Sequence, residues 1–147
     1  MKKILLVHGP NLNNLGKRDP EHYGTMSLDA LAQQVTEWAR EKGVEIIHVQ
    51  SNHEGVLIDE IQKNAEAVDG IIINAGALTH YSYALHDALV DTHLPAVEVH
   101  LSDVHSREAW RAVSVLEPAC IQQISGKGPD GYHEALDVLL EQKVVVE

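Results

Sequence analysis

The chain predicts an α/β fold in which a parallel sheet of five strands carries helices on both faces. Short, unbroken aliphatic runs alternate with longer stretches that are apolar at helical spacing. The short runs do not alternate polar with apolar residues, so they fit strands covered on both sides. Side chains with chemical potential follow directly after those runs. The carboxyl ends of parallel strands would gather them in one crevice.

Ile4 to Val7 is the first such run. Ser27 is a good N-cap for a helix carrying Leu28, Leu31, Val35 and Trp38, because its hydroxyl can take an orphan backbone N–H; Gly43 stops that helix. Val44 to Val49 is the second strand, and Glu54 to Val68 the second helix, with Leu57, Ile58, Ile61 and Ala65 on one face. Gly70 to Ile73 is the third strand. Residues His80 to Asp91 make the third helix, with Ala84, Leu85, Ala88 and Leu89 turned inward. Pro95 punctuates, and Ala96 to Val99 is the fourth strand. A shorter helix spans Arg107 to Val113, the fifth strand Ile121 to Ile124, and the closing helix Asp130 to Gln142; Val144 to Val146 reads as a tail. No linker or repeat interrupts this series, so residues 1–147 read as a single catalytic domain.

With 44% hydrophobic residues, 4% aromatic and no Phe, the core must be aliphatic. The net charge of −11 is the wrong sign for a general nucleic-acid binder, although clustered arginines could still hold a small anion. The lone Cys120 cannot form an internal disulfide, which points to a reducing compartment; its apolar neighbours mark a buried structural thiol. No run approaches the roughly 20 apolar residues of a membrane span, and the run after Met1-Lys2-Lys3 is too short for a signal peptide. The expectation is a soluble, cytoplasmic protein with no membrane partner.

Residues 95–111 carry the chemistry. Glu98 and His100 are two apart on a strand and share a face. A carboxylate beside an imidazole can orient it and hold a proton on it, as a general acid or base requires. Arg107 and Arg111 follow at helical i,i+4 spacing, which suits an anionic substrate. The loop from Gly9 to Gly24 is long for so small a domain and carries Lys17, Arg18 and Tyr23. A phenol is a poor base unless a cation favours the phenolate, and Arg18 could be that cation; the plainer reading is a surface loop with a tyrosine anchor. His80 and Asp87 are seven apart, so one helix would place them on one face and His86 off it. The ten histidines include no H-E-x-x-H, and no paired Cys accompanies them; a catalytic metal is not expected. His22, His93 and His133 read as exposed, and Gly126 to Tyr132 as a turn rather than a phosphate cradle.

These motifs resemble the type II 3-dehydroquinate dehydratases over nearly the whole chain. Gly9-Pro10-Asn11-Leu12-Asn13, Leu15-Gly16-Lys17-Arg18, Tyr23-Gly24, Gln50 to Gly55, Asn74 to His80, Asp87 to Leu89, Glu98 to Ser102 and Arg107 to Arg111 carry the likeness. The resemblance implies a flavodoxin-like fold and dehydration of 3-dehydroquinate to 3-dehydroshikimate by stepwise anti elimination. It implies no metal, no cofactor, and a homo-oligomer, a dodecamer built from trimers. It makes Tyr23 the base, Arg18 the holder of its phenolate, Asn11 a stabiliser of the enolate, and His100, oriented by Glu98, the acid. Leu101 and Ser102 would receive the substrate carboxylate, Asn74, His80 and Arg111 the ring hydroxyls, and Asp87 would reach in from a neighbouring subunit. Arg107 would only anchor the loop or stand behind the site. Asp103, His86, Lys127 and Val113 depart from the family pattern, and Asp103 would add negative charge beside the carboxylate site. The rival readings are a non-catalytic binder of a flavin or small acid and, more weakly, a phosphoryl-accepting receiver domain.

Overall fold

The structure is a computed structural model that describes residues 1–142; the expected tail at Val144 to Val146 lies outside them. Its strands are β1 (Lys3–His8), β2 (Glu45–Gln50), β3 (Gly70–Asn74), β4 (Ala96–His100) and β5 (Gln122–Ser125). They form one parallel sheet in the order β2-β1-β3-β4-β5, the flavodoxin-like arrangement. The helices are α1 (Pro20–Tyr23), α2 (Leu28–Glu41), α3 (Glu54–Asn64), α4 (Tyr83–Thr92) and α5 (Asp130–Leu140). Ile4 and Leu6 of β1 face a core built with Leu31 and Val35 of α2 and Leu136 and Leu139 of α5. Leu5 and Val7 face the other core, with Leu57 and Ile61 of α3 and Leu85 and Leu89 of α4. Successive strand residues therefore bury on opposite sides, which is why the strands read as unbroken aliphatic runs.

Ser27 caps α2 as expected, its hydroxyl accepting from the Ala30 N–H at 3.1 Å. Other expectations need correction. The second helix stops at Asn64, whose side-chain amide turns back onto the Glu60 carbonyl at 2.8 Å. The third starts later than His80: that residue ends the 3-10 turn Gly76–His80, and α4 begins only at Tyr83, where Ser82 takes the Leu85 N–H at 3.1 Å. His80 and Asp87 thus do not share a helix, and Ala84 is exposed. The stretch expected as a helix over Arg107 to Val113 holds only the 3-10 turn Ala109–Ala112, and another, Val104–Ser106, precedes it. Asp103 caps the earlier turn, accepting from the His105 N–H at 3.1 Å. His93 is exposed, but His22 and His133 are half-buried, His133 against the Trp38 ring. Cys120 is only half-buried, and desolvation pushes its thiol up to about 12.

The strand order reverses at β1, so the carboxyl ends of β1 and β3 open a crevice. Gly9 stands at its root: a Cβ there would lie 2.3 Å from the Ala75 carbonyl oxygen. At Gly76, with φ of +59°, a Cβ would lie 2.8 Å from the Pro10 carbonyl oxygen. The two loops are clamped together by backbone that no side chain may separate.

One polar seam crosses the core. His8 is fully buried and bonds His48 at 2.7 Å and the Tyr132 hydroxyl at 2.8 Å. Desolvation, aided by His48, lowers the His8 pKa from 6.5 to about 3. Below pH 6.5 the unfolded chain therefore binds a proton that the folded chain refuses, and stability falls as pH drops toward 3. Between about pH 6.5 and 5 carboxylates contribute little to this slope. Thermal melts should show Tm falling through that window, with a shallower fall in His8→Gln. Parallel slopes for the two proteins would show that His8 is not the group responsible.

Candidate active site

A cleft of about 110 Å³ lies at the carboxyl ends of β1, β3 and β4. Behind its floor sits Glu98, fully buried in β4. Burial alone would push this carboxyl up. Hydrogen bonds from His100 Nε2 (2.6 Å), Ser114 Oγ (2.5 Å) and Gln123 Nε2 (2.7 Å) outweigh it and hold the pKa below its ordinary value. A carboxylate only accepts, so His100 carries a hydrogen on Nε2 and keeps Nδ1 for the cleft, which it lines. His80 stacks on His100 with ring centroids 6.3 Å apart and donates from Nδ1 to the Val113 carbonyl at 2.7 Å. Desolvation lowers the His80 pKa, partly offset by that carbonyl.

The long loop folds over the opposite side of the cleft through the 3-10 turn Leu12–Asn14 and α1. Arg18 lies flat on the Tyr23 ring, its Cζ 3.7 Å from the centroid. The cation on the phenol oxygen is a different one: Arg107 Nη1 donates to it at 2.8 Å and to Ser102 Oγ at 3.2 Å. The buried Arg107 Nε has no protein partner among the described residues. Of the two expectations for Arg107, loop anchor or residue behind the site, the bond to Tyr23 fits the first and its place in the cleft lining goes beyond the second; the 84-residue separation from Tyr23 leaves no local signal of this contact.

Asn11, Asn74, His80, Leu101, Ser102 and Arg111 all line the cleft together with Tyr23, Arg18 and His100. Asn11 is held at φ of +69° while its N–H donates to Asn52 Oδ1 at 3.0 Å, tying the loop to the end of β2. Gly126 and Gly128 N–H groups bond the Ser102 and Leu101 carbonyls at 3.0 and 3.2 Å, so the glycine turn braces this wall. Arg111 pairs with Glu108 and lies 4.1 Å over the Trp110 ring. Asp87 does not join them: it is exposed on α4, paired with His86 at 3.0 Å. Asp103 also stays out of the lining because its carboxylate is occupied in capping. Three guanidiniums therefore face a small cleft in a chain of net charge −11. Asp19, Glu21 and His22 bring ligand-type atoms within 4.8 Å of one another, but they sit at the α1 start, where Asp19 caps the helix.

Sequence reasoning missed Ser114 and Gln123. Neither belongs to a recognisable motif, and only the β4–β5 pairing, Glu98 opposite Gln123, brings the amide to the carboxylate.

Fold and cleft together define a flavodoxin-like α/β protein with a carboxylate–imidazole pair and a cationic wall. Residues 2–140 match the family model described as dehydroquinase class II. A curated 3-dehydroquinate dehydratase of Anoxybacillus flavithermus is 50% identical over 141 residues, covering 96% of this chain and 95% of its own. The crystal structure of type II dehydroquinase from Butyrivibrio crossotus is 46% identical with a TM-score of 0.93, covering 95% of this chain and 98% of that one. The Propionibacterium acnes type II dehydroquinase is 37% identical with a TM-score of 0.92, covering 97% and 98%. The chain belongs to the class II dehydroquinase family.

Gln123→Leu removes a donor from a buried charge and should destabilise the fold by about 1–3 kcal/mol at neutral pH. A depressed carboxyl contributes stability above its unfolded pKa of 4.5 and loses it as pH falls through the lower folded value. The penalty measured by urea unfolding should therefore shrink toward acid. An equal penalty at pH 7 and in acid would mean that Gln123 packs rather than holds charge.

Proposed function

We propose that this chain is a hydro-lyase that converts 3-dehydroquinate to 3-dehydroshikimate by stepwise anti elimination through an enolate. It would serve the shikimate pathway or quinate breakdown, in the cytoplasm, with residues 1–147 acting as one catalytic domain. The observation that carries the reading is a tyrosine hydroxyl bonded to arginine and a carboxylate-held histidine lining one cleft. The names of the relatives support the substrate.

A ketone acidifies its α-proton, so a base and a stabiliser of the enolate suffice for the first step. Arg107 on its oxygen and Arg18 on its ring hold Tyr23 as the phenolate, which takes that proton and becomes the neutral phenol while the negative charge passes to the enolate. Asn11 meets the charge that develops on the enolate oxygen. Hydroxide leaves badly, so the second step needs an acid. His100, protonated on both ring nitrogens for this step, gives the Nδ1 proton to the hydroxyl, which leaves as water as the enolate collapses to the enone; the Glu98 charge holds the ring in line through Nε2. Leu101 and Ser102 receive the substrate carboxylate near Arg107, and Asn74, His80 and Arg111 hold the ring hydroxyls. No step calls for a metal or an organic cofactor. Asp87 enters the cleft of a neighbouring copy in a homo-oligomer, a dodecamer of trimers.

The test is the rise in ultraviolet absorbance of the conjugated enone when purified protein meets 3-dehydroquinate; a flat trace sinks the proposal. Tyr23→Phe should lose roughly 10²–10⁴-fold or more in rate while melting like the parent. His100→Ala should be worse than Glu98→Gln, because the second keeps the shape of the carboxylate and loses only its charge. Exhaustive chelation should leave the rate unchanged, and activity restored only by a divalent ion would overturn the metal-free mechanism.

A further inference from the structure

We infer that Tyr132 and His8 position the Asn74 amide in the cleft through a one-way chain of hydrogen bonds ending at His48. The inference deepens the proposed function, since it rests on Asn74 touching the substrate.

The direction of the chain follows from a single backbone donor. The Gly76 N–H bonds Asn74 Oδ1 at 3.2 Å, and an N–H can only donate. That places the oxygen of Asn74 toward Gly76 and its NH₂ toward Tyr132, where Nδ2 lies 3.1 Å from the phenol oxygen. The Tyr132 hydroxyl therefore accepts from Asn74 and spends its own hydrogen on His8 Nε2, 2.8 Å away. His8 must then carry its hydrogen on Nδ1 and donate to His48 Nε2 at 2.7 Å. The Tyr132 oxygen could accept from both Asn74 and His8 only by leaving its own buried hydrogen without an acceptor among the described residues, so the hydroxyl donates to His8 and the chain runs one way.

The members come from four elements, β3, α5, β1 and β2, and three of them are buried: Asn74, Tyr132 and His8. Burial keeps His8 neutral, as the chain requires. Asn74 stands opposite His8 in the β1–β3 register, so the seam runs beneath the floor of the cleft. The second amide hydrogen of Asn74 bonds no protein atom among the described residues. With oxygen and first hydrogen both claimed, the amide plane cannot flip, and this hydrogen is presented at a fixed angle to a ligand hydroxyl. Tyr132 and His8 touch no ligand themselves; they are positioning residues.

A double-mutant cycle separates positioning from general support of the core. In the parent, Tyr132→Phe should raise KM for 3-dehydroquinate about 3- to 10-fold with kcat within about twofold, the loss of one binding hydrogen bond. In the Asn74→Ala background the same change should leave KM unaltered. The same rise in both backgrounds overturns the inference. A second measurement needs no variant: nitrogen NMR of the histidine rings at neutral pH should show His8 protonated at Nδ1 and bare at Nε2. The opposite tautomer breaks the chain whatever the kinetics show. If the parent does not turn over 3-dehydroquinate, the functional reading falls by itself and the ring tautomer decides the chain.

Discussion

A fully buried negative charge is the constraint on which this molecule turns. Glu98 has no exposed surface, and taking a carboxylate out of water costs several kcal/mol before any partner is counted. Its donors come from its own strand, from β5, and from the segment after the second 3-10 turn. Removing one leaves a charge half satisfied in low dielectric, which is worse than having no charge there at all. The docking of β5 and the path of residues 112–116 are therefore tied to the same atoms that orient His100. The fold and the His100 ring share one set of hydrogen bonds.

The second constraint is steric. At the switch point of the sheet, Gly9 and Gly76 let two loops meet backbone to backbone, with approaches that a Cβ would forbid. That contact sets where Asn11 and Asn74 sit. From this root the long loop reaches across to lay Tyr23 under Arg18 and against Arg107. The phenol is held by one local cation and one remote cation. The remote arginine also touches Ser102, and this joins the loop to the wall expected to hold a carboxylate. The Arg107 Nε is buried and has no protein partner among the described residues.

Most of what fills the two cores is interchangeable aliphatic bulk, and the specificity of the interior lies in its polar groups. His8 and Glu98 are both fully buried and titratable, yet one is neutral and the other charged. His8 is neutral because burial strips its water and His48 beside it disfavours a positive charge. Glu98 is charged because three donors do compensate it. Environment, not residue type, decides which of them carries charge.

The sequence by itself determined the fold class, because strands buried on both faces need unbroken aliphatic runs and helices need one apolar stripe; both patterns are local. It also determined the Glu98–His100 pair, since two residues apart on a strand face the same way, and the motifs sufficed for the family. It misjudged residues 80–82, where the Ser82 hydroxyl captures the Leu85 N–H and α4 starts only at Tyr83, and residues 107–113, which form a single 3-10 turn in place of a helix. Only the tertiary structure decided which arginine meets the Tyr23 oxygen, which donors hold Glu98, and that His8, Tyr132 and Asn74 form one seam. Those contacts join residues 16 to 124 positions apart, and no local periodicity records them. They follow from strand order and register, which place side chains side by side only once the sheet is assembled.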